Sequence, residues 1–262
     1  MKIEVLVATM NQSDFSLYDK MNLKTDAVFA NQSDKYEYKE FSNKKSKMRM
    51  ITTMTRGVGK NRNIALMYSD ADICLLADDD VRYVDNYDSI IENAFSEIPE
   101  ADIIIFNIET IGDNETSRRV NKKIKKIHMF NVLNYGAPRV AIRKASLSKK
   151  NIWFSLLYGG GAVYSSGEDS LFLTEAIRKK MRIYAYPCKI ADVNQETSTW
   201  FKGYTQKYFE DKGVWFANAF PNLKYLLSVY YSFRLKRYTQ EFSVLQIFTM
   251  MNAGIKKFNK NN

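Results

Sequence analysis

The feature that most restricts how this chain can fold is a run of apolar residues, Ile73-Cys74-Leu75-Leu76-Ala77, that gives way at once to three carboxylates, Asp78, Asp79 and Asp80. The run has the length and residue types of a strand buried on both faces. Three adjacent like charges at the mouth of such a strand repel one another unless a cation or a set of strong hydrogen-bond donors sits among them. The pattern predicts a metal site at the carboxyl edge of a parallel sheet. The plainer reading is an acidic turn that caps the following helix.

The flanking segments supply the rest of such a sheet. Ile3 to Ala8 reads as a first strand that runs into Thr9, Met10, Asn11 and Gln12. A short helix, about Asp14 to Met21, returns the chain to a second strand, Ala27 to Ala30, which ends in Asn31, Gln32, Ser33 and Asp34. Residues 35–47 are charged and aromatic and read as a surface excursion. A third strand, Arg49 to Thr53, precedes Gly57-Val58-Gly59-Lys60-Asn61-Arg62, which opens a helix. Repeated alternation of strand, turn and helix predicts parallel strands joined by right-handed crossovers, a doubly wound, mostly parallel α/β sheet flanked by helices. Ligands bind such sheets beyond the carboxyl ends of the strands. Further along, Asp85 is expected to cap a helix that Pro99 helps to stop, and Ala101 to Ile108, Arg139 to Ile142, Ile152 to Phe154 and Ile183 to Tyr186 read as strands. Residues 114–126 read as a mobile polar loop. A glycine-rich approach, Gly159-Gly160-Gly161 and then Gly167, leads into Glu168-Asp169 and a helix behind them, where the dipole favours an anion.

The residue types available limit the chemistry. His128 is the only histidine, so a zinc site of the usual histidine and cysteine type cannot be assembled, and a serine triad would lack its sequence elbow. Acid and base work falls mainly to Asp and Glu, and a metal should be a hard cation in an oxygen shell, Mn²⁺ or Mg²⁺. The two cysteines, Cys74 and Cys188, form no disulfide framework. Neither a leader nor a run of about 18 apolar residues is evident, which predicts a cytoplasmic location. The helix opening at Gly57 lacks the third glycine of a dinucleotide fingerprint, which Arg62 replaces, and fails the spacing of a phosphate loop. It does bring Arg56, Lys60 and Arg62 to a helix start, suited to a phosphate or to the aspartates.

These landmarks together resemble the glycosyltransferase family 2 enzymes of the GT-A fold. The first strand ending near Thr9 to Asn11, the Arg62-Asn63-Ile64-Ala65-Leu66 segment, the Asp78-Asp79-Asp80 triplet and Gly167-Glu168-Asp169 occur in the family's order and separation across residues 1–210. Departures are the missing proline in Ala8-Thr9-Met10-Asn11, the second-strand end Asn31-Gln32-Ser33-Asp34, and the lack of a histidine after Glu168-Asp169. The resemblance implies transfer of a sugar, with inversion, from a nucleotide-diphosphate donor, UDP-linked by expectation. The acceptor would be a hydroxyl of a saccharide or lipid-linked saccharide in bacterial surface polysaccharide synthesis. It implies that Asp80 with Asp78 holds the metal, that Asp79 assists at the donor, and that Thr9, Asn11 and Asp34 contact base and ribose. Arg62 would lie near the diphosphate or pair with the aspartates. Asp169 is the expected base and Glu168 positions the acceptor.

Residues 211–262 fall outside the resemblance and form a basic, aromatic-rich helical extension. From Lys212 onward eight bases face Glu241 alone, so residues 212–262 carry +7 of the net +10. Amphipathic helices on the inner face of an anionic membrane are one reading, and packing on the catalytic domain or in a homodimer is the other. Ser198 to Tyr204 offers an aromatic acceptor platform or plain packing. The clusters Lys44 to Arg49 and Arg118 to Lys126 read as solvated faces. Two rivals remain. A sugar nucleotidyltransferase would need a glycine-rich loop after the first strand, where Met10-Asn11-Gln12-Ser13 has none. A nucleic-acid-binding protein leaves the aspartate triplet unexplained, so no nucleic acid is expected as a partner.

Overall fold

In the computed structural model, apolar strands alternate with short helices from the first residues. The chain runs through β1 (Ile3–Met10), α1 (Ser16–Lys20), β2 (Asp26–Gln32), β3 (Glu37–Ser42), β4 (Lys47–Thr53), α2 (Val58–Tyr68), β5 (Ile73–Asp78), β6 (Val81–Tyr83) and α3 (Tyr87–Glu97). It continues through β7 (Ile103–Ile111), β8 (Lys125–Lys126), β9 (Val140–Arg143), α4 (Lys144–Lys150), α5 (Glu168–Arg178) and β10 (Ile183–Asn194). Helices α6 (Gln206–Ala219), α7 (Lys224–Lys236) and α8 (Val244–Lys260) follow. The structure describes residues 1–111, 120–129, 131–194 and 203–260. The chain divides into two compact units, residues 1–157 with 168–197, and residues 158–167 with 198–262.

The first unit is built on one sheet in the order β3-β4-β2-β1-β5-β9-β7-β10-β6, with β8 beside β10. Strands β4, β2, β1 and β5 are parallel neighbours, and β7 pairs parallel with β10. Because β9 is antiparallel to both β5 and β7, those two strands also point the same way. Six strands therefore share one direction, and their carboxyl ends form one edge. Side chains alternate between two covered faces, which explains why β5 is apolar from Ile73 to Ala77. Leu75 joins Val5, Val7 and Phe29 on a face covered by Tyr87, Ile91 and Phe95 of α3. Leu76 joins Leu6 and Val28 on the other, covered by Ala65 and Leu66 of α2 and by Phe172, Leu173 and Ala176 of α5.

Several expectations are corrected. The sheet is mostly parallel and flanked by helices, as expected; the detail not expected is that β9 is inserted antiparallel between β5 and β7. The charged excursion at 35–47 contains an edge strand, β3, whose alternating charges keep that edge solvated. Arg49 does not belong to a solvated cluster; it is buried and paired with Glu4 and Asp70. Asp85 caps nothing, because α3 follows Asn86, and the Asp85 carboxylate accepts a hydrogen bond from Asn22 instead. Ile152 to Phe154 is not a strand. Strand β10 continues past Tyr186 to Asn194, with register shifts between Ala185 and Ala191. Within the expected loop at 114–126, residues 114–119 lie outside the described residues, but Asn121 is buried and exchanges two hydrogen bonds with Asn107.

In the second unit Thr205 caps α6, accepting from the backbone N–H of Tyr208 at 3.2 Å, and α6 runs across position 210. Pro221 separates α6 from α7. Helices α6 and α8 cross at Gly213 and Gly254. A Cβ on either would fall about 2 Å from a carbonyl oxygen of the other helix, Met251 or Glu210. No helix among the described residues is long and apolar enough to cross a membrane. Residues 198–202 of the expected aromatic platform lie outside the described residues.

Candidate active site

The start of α2 is held in place by three consecutive side chains, Asn61, Arg62 and Asn63. Gly57 precedes the helix at φ 116°, a backbone state that favours glycine. Asn61 then donates to the carbonyl oxygens of Thr9 (3.1 Å) and Ala30 (3.0 Å), joining the ends of β1 and β2. Asn63 exchanges two 2.9 Å bonds with the backbone of Phe154. Gly59 lets this segment lie against α2, since a Cβ there would sit 2.3 Å from the carbonyl oxygen of Ser155. Between the two asparagines, Arg62 is directed inward and is only 3% exposed.

Arg62 gathers the carboxylates. Its Nη2 donates to Asp78 Oδ1 at 2.8 Å, and its Nη1 donates to Glu168 Oε1 at 3.0 Å and to Asp169 Oδ1. The guanidinium lies 5.4 Å from the centre of the Phe154 ring, which stacks on Phe172 of α5 at 4.1 Å. A buried guanidinium is tolerable only when its charge and hydrogen bonds are met. Burial works against its charge, but Asp169, Asp78 and Glu168 outweigh that and raise its proton affinity.

Asp169 is also held from its other side. Its Oδ2 accepts the backbone N–H of Ala137 at 2.9 Å. The antiparallel direction of β9 explains this contact. With Ala141 opposite Leu75 and Val140 opposite Ile105, residues 136–139 are delivered to the carboxyl ends of β5 and β7. One guanidinium serves three carboxylates, leaving a net charge of −2 when all are ionised. Burial, opposed by Arg62 but reinforced by Glu168 and Asp78, raises the Asp169 pKa to about 7 from an ordinary 3.8. The Asp169 side chain keeps 22% exposure, so the group remains reachable from solution.

The other expected residues line the same edge. Asp79 is exposed and accepts from the Thr9 hydroxyl at 2.6 Å. Asp80 is half-buried, and its carbonyl accepts from the Asn194 N–H at 3.0 Å, tying the triplet to β10. Asn11 adopts a left-handed backbone, φ 54°, with its N–H on the Gln32 carbonyl and its side chain exposed. Asp34 is exposed beyond β2 and accepts from the Ser33 hydroxyl. The structure thus joins Arg62, Asp78, Glu168 and Asp169 in one cluster and Thr9 with Asp79 in a second contact. Asn11 and Asp34 stand apart on the neighbouring strand ends.

Sequence reasoning missed four contributors. Asn31 brackets the loop after β1, its amide exchanging two 2.9 Å bonds with the Gln12 backbone. Asn61 and Phe154 position Arg62. The Ala137 N–H carries no side-chain signal, although Gly136-Ala137-Pro138 marks a turn that could have drawn notice.

The fit of a metal is partial. Among the described residues no group of three His, Cys, Asp or Glu is disposed to hold one. Asp78 is engaged by Arg62, and Asp79 by Thr9. Mg²⁺ and Mn²⁺ sites that form with a diphosphate need only one or two carboxylates, the remainder coming from phosphate oxygens and water. Close to the triplet, the Tyr83 hydroxyl is buried without a hydrogen-bond partner among the described residues. Burial foremost, then Tyr87, Asp78 and Asp80, raises its pKa. The donor set suits a cation that arrives with a diphosphate, and not a preformed cage.

A mixed α/β domain with mutually braced carboxylates and an arginine along the carboxyl edge of its parallel strands belongs to the class of α/β folds that bind ligands at that edge. Among solved structures the chain is similar to S. aureus TarS. Residues 1–349 of that protein in complex with UDP-GlcNAc match at a TM-score of 0.64 and 17% identity, covering 92% of this chain and 74% of the other. The UDP complex matches at 0.61 and 16%, covering 92% and 73%. A longer TarS structure matches at 0.61 and 16%, and this chain spans 44% of its length. The likeness shows a shared fold: a mostly parallel central sheet flanked by helices. No family model and no curated protein matches the sequence.

Proposed function

We propose that the chain is an inverting glycosyltransferase that moves a sugar from a UDP-linked donor to a hydroxyl of a saccharide or lipid-linked saccharide acceptor. The observation that carries the reading is the placement of Asp169 across Arg62 from Asp78, with one carboxylate oxygen fixed by the Ala137 N–H. Such an arrangement suits a base that must be oriented before the acceptor arrives. The fold shared with TarS, solved with UDP-GlcNAc and with UDP, supports a nucleotide-sugar donor.

In this reading Thr9, Asn11 and Asp34 contact the base and ribose along the ends of β1 and β2. The diphosphate lies at Asp78 to Asp80, where Asp80 with Asp78 would hold Mn²⁺ or Mg²⁺. A bound cation would supply positive charge to the departing diphosphate. Glu168 positions the acceptor and Asp169 takes the proton of its hydroxyl on the face of the sugar opposite the leaving group. The raised pKa of Asp169 matches that task, since a base works best when its pKa lies near the operating pH.

The test is UDP release from UDP-GlcNAc and a panel of other UDP-sugars, with the anomeric configuration of the product read by NMR. Asp169→Asn should abolish turnover and leave UDP binding intact. A variant that loses both makes Asp169 a structural residue and overturns its assignment as the base.

A further inference from the structure

Helix α7 is packed inside out. The residues that it buries in the second unit are Ser228, Ser232 and Leu235, and each serine hydroxyl donates to a carbonyl one turn back, so neither needs another partner. Its outer face carries Leu226, Val229, Tyr230 and Phe233, spaced i, i+3, i+4 and i+7 along one stripe. Leu226 is 67% exposed and Phe233 64%. A contiguous exposed apolar stripe of this kind marks an interaction surface.

Charge selects its occupant. Arg234 and Arg237 are exposed at the carboxyl end of the stripe. At the other end, Lys224 Nζ donates to Asn259 at 3.0 Å, so the start of α7 lies beside the end of α8, where Lys256, Lys257 and Lys260 are exposed. Bases thus bracket the apolar stripe at both ends, and α7 and α8 contain no acidic residue. Two copies meeting through this face in parallel would bring like charges together. A bilayer surface with anionic headgroups satisfies the apolar stripe and the bases at once.

We infer that α7 docks the chain onto an anionic lipid bilayer, with Leu226, Val229, Tyr230 and Phe233 entering the headgroup boundary and Arg234, Arg237 and the lysines ending α8 bound to lipid phosphates. The inference stands apart from the reading of the catalytic edge, because its test measures binding and not turnover.

The 262-residue chain is sedimented with vesicles of phosphatidylcholine alone and of phosphatidylcholine with phosphatidylglycerol, and its oligomeric state is followed by light scattering. Partition onto the anionic vesicles should exceed that onto neutral ones by at least about tenfold and fall with added salt. Leu226→Glu with Phe233→Glu should lower it at least about tenfold. Arg234→Gln with Arg237→Gln should lower it by about fivefold per base while leaving the apolar stripe intact. Equal partition of the parent chain onto both vesicle types overturns the inference, as does unchanged binding by either variant. A parent dimer that Leu226→Glu with Phe233→Glu dissolves, without vesicle binding, would make the stripe a contact between copies instead.

Discussion

Asp169 is pulled in opposite directions by its surroundings, and the balance makes a pH prediction. Arg62 favours the carboxylate, whereas burial and the neighbouring Glu168 and Asp78 favour the acid, and the acid gains, with a pKa of about 7. A group whose folded pKa is raised binds its proton in the folded state after the unfolded chain has released it. Stability conferred by the protonated form is therefore complete below about pH 4 and declines as pH rises toward 7. In its proposed role as the base Asp169 must be ionised, so activity is expected to run the opposite way. The rate of sugar transfer should rise about tenfold per pH unit below 7 and level off above it, while Asp169→Asn should remove the loss of stability across pH 4 to 7. A pH–rate profile and denaturation series at matched pH check both limbs. A rate already at its plateau at pH 5 would mean that Arg62 governs the carboxylate and that Asp169 is ionised throughout.

Within elements, the features legible in the sequence were those whose chemistry is local. Asp78 to Asp80 sit together because they are adjacent, and Glu168 and Asp169 begin a helix because acidic residues favour that place. Arg62 was legible as a base at a helix start, although its two possible partners, phosphate or aspartate, were separated only by the fold. What was not legible depends on distant pairing. Strand β9 reads as a short apolar segment, and nothing within Val140 to Arg143 states that it runs antiparallel between β5 and β7. Its direction brings the Ala137 amide to Asp169, a contribution that any residue but proline could make. The outward apolar face of α7 was legible as an amphipathic pattern, but the side it presents was set by helix packing. The packing of α6 against α8 turns on glycine. A Cβ on Gly254 would sit 2.0 Å from the carbonyl oxygen of Glu210 in α6, a backbone atom that cannot swing aside. Alanine improves helix propensity by about 1 kcal/mol, whereas overpacking costs about 1–3 kcal/mol. Gly254→Ala should therefore be net destabilising by up to about 2 kcal/mol in chemical denaturation. Equal or greater stability would mean that α6 and α8 can separate without loss.

At the scale of the whole molecule, the acidic edge of the sheet departs from the charge of the chain around it. The protein is +10 overall, yet Asp78, Asp79, Asp80, Glu168 and Asp169 gather at the site, with Arg62 directly paired to Asp78, Glu168 and Asp169. Arg62 is enclosed by carboxylates and presents little charge outward. A nucleoside diphosphate approaching this edge meets repulsion at close range, where the distant positive charge of the chain is screened by salt. A divalent cation reverses the local sign, so donor binding itself, and not only turnover, should depend on the metal. UDP with Mn²⁺ at about a hundred times its dissociation constant should stabilise the chain by about 2.7 kcal/mol, seen as a rise in melting temperature. UDP in excess chelator should give no rise, and Mn²⁺ without UDP only a small one, since no three-ligand cage exists among the described residues. Asp80→Asn should weaken the combined effect by reducing the charge that holds the cation, while leaving the Arg62 cluster in place. Equal stabilisation by UDP with and without chelator would show that the diphosphate finds its positive charge elsewhere and would remove the metal from the mechanism.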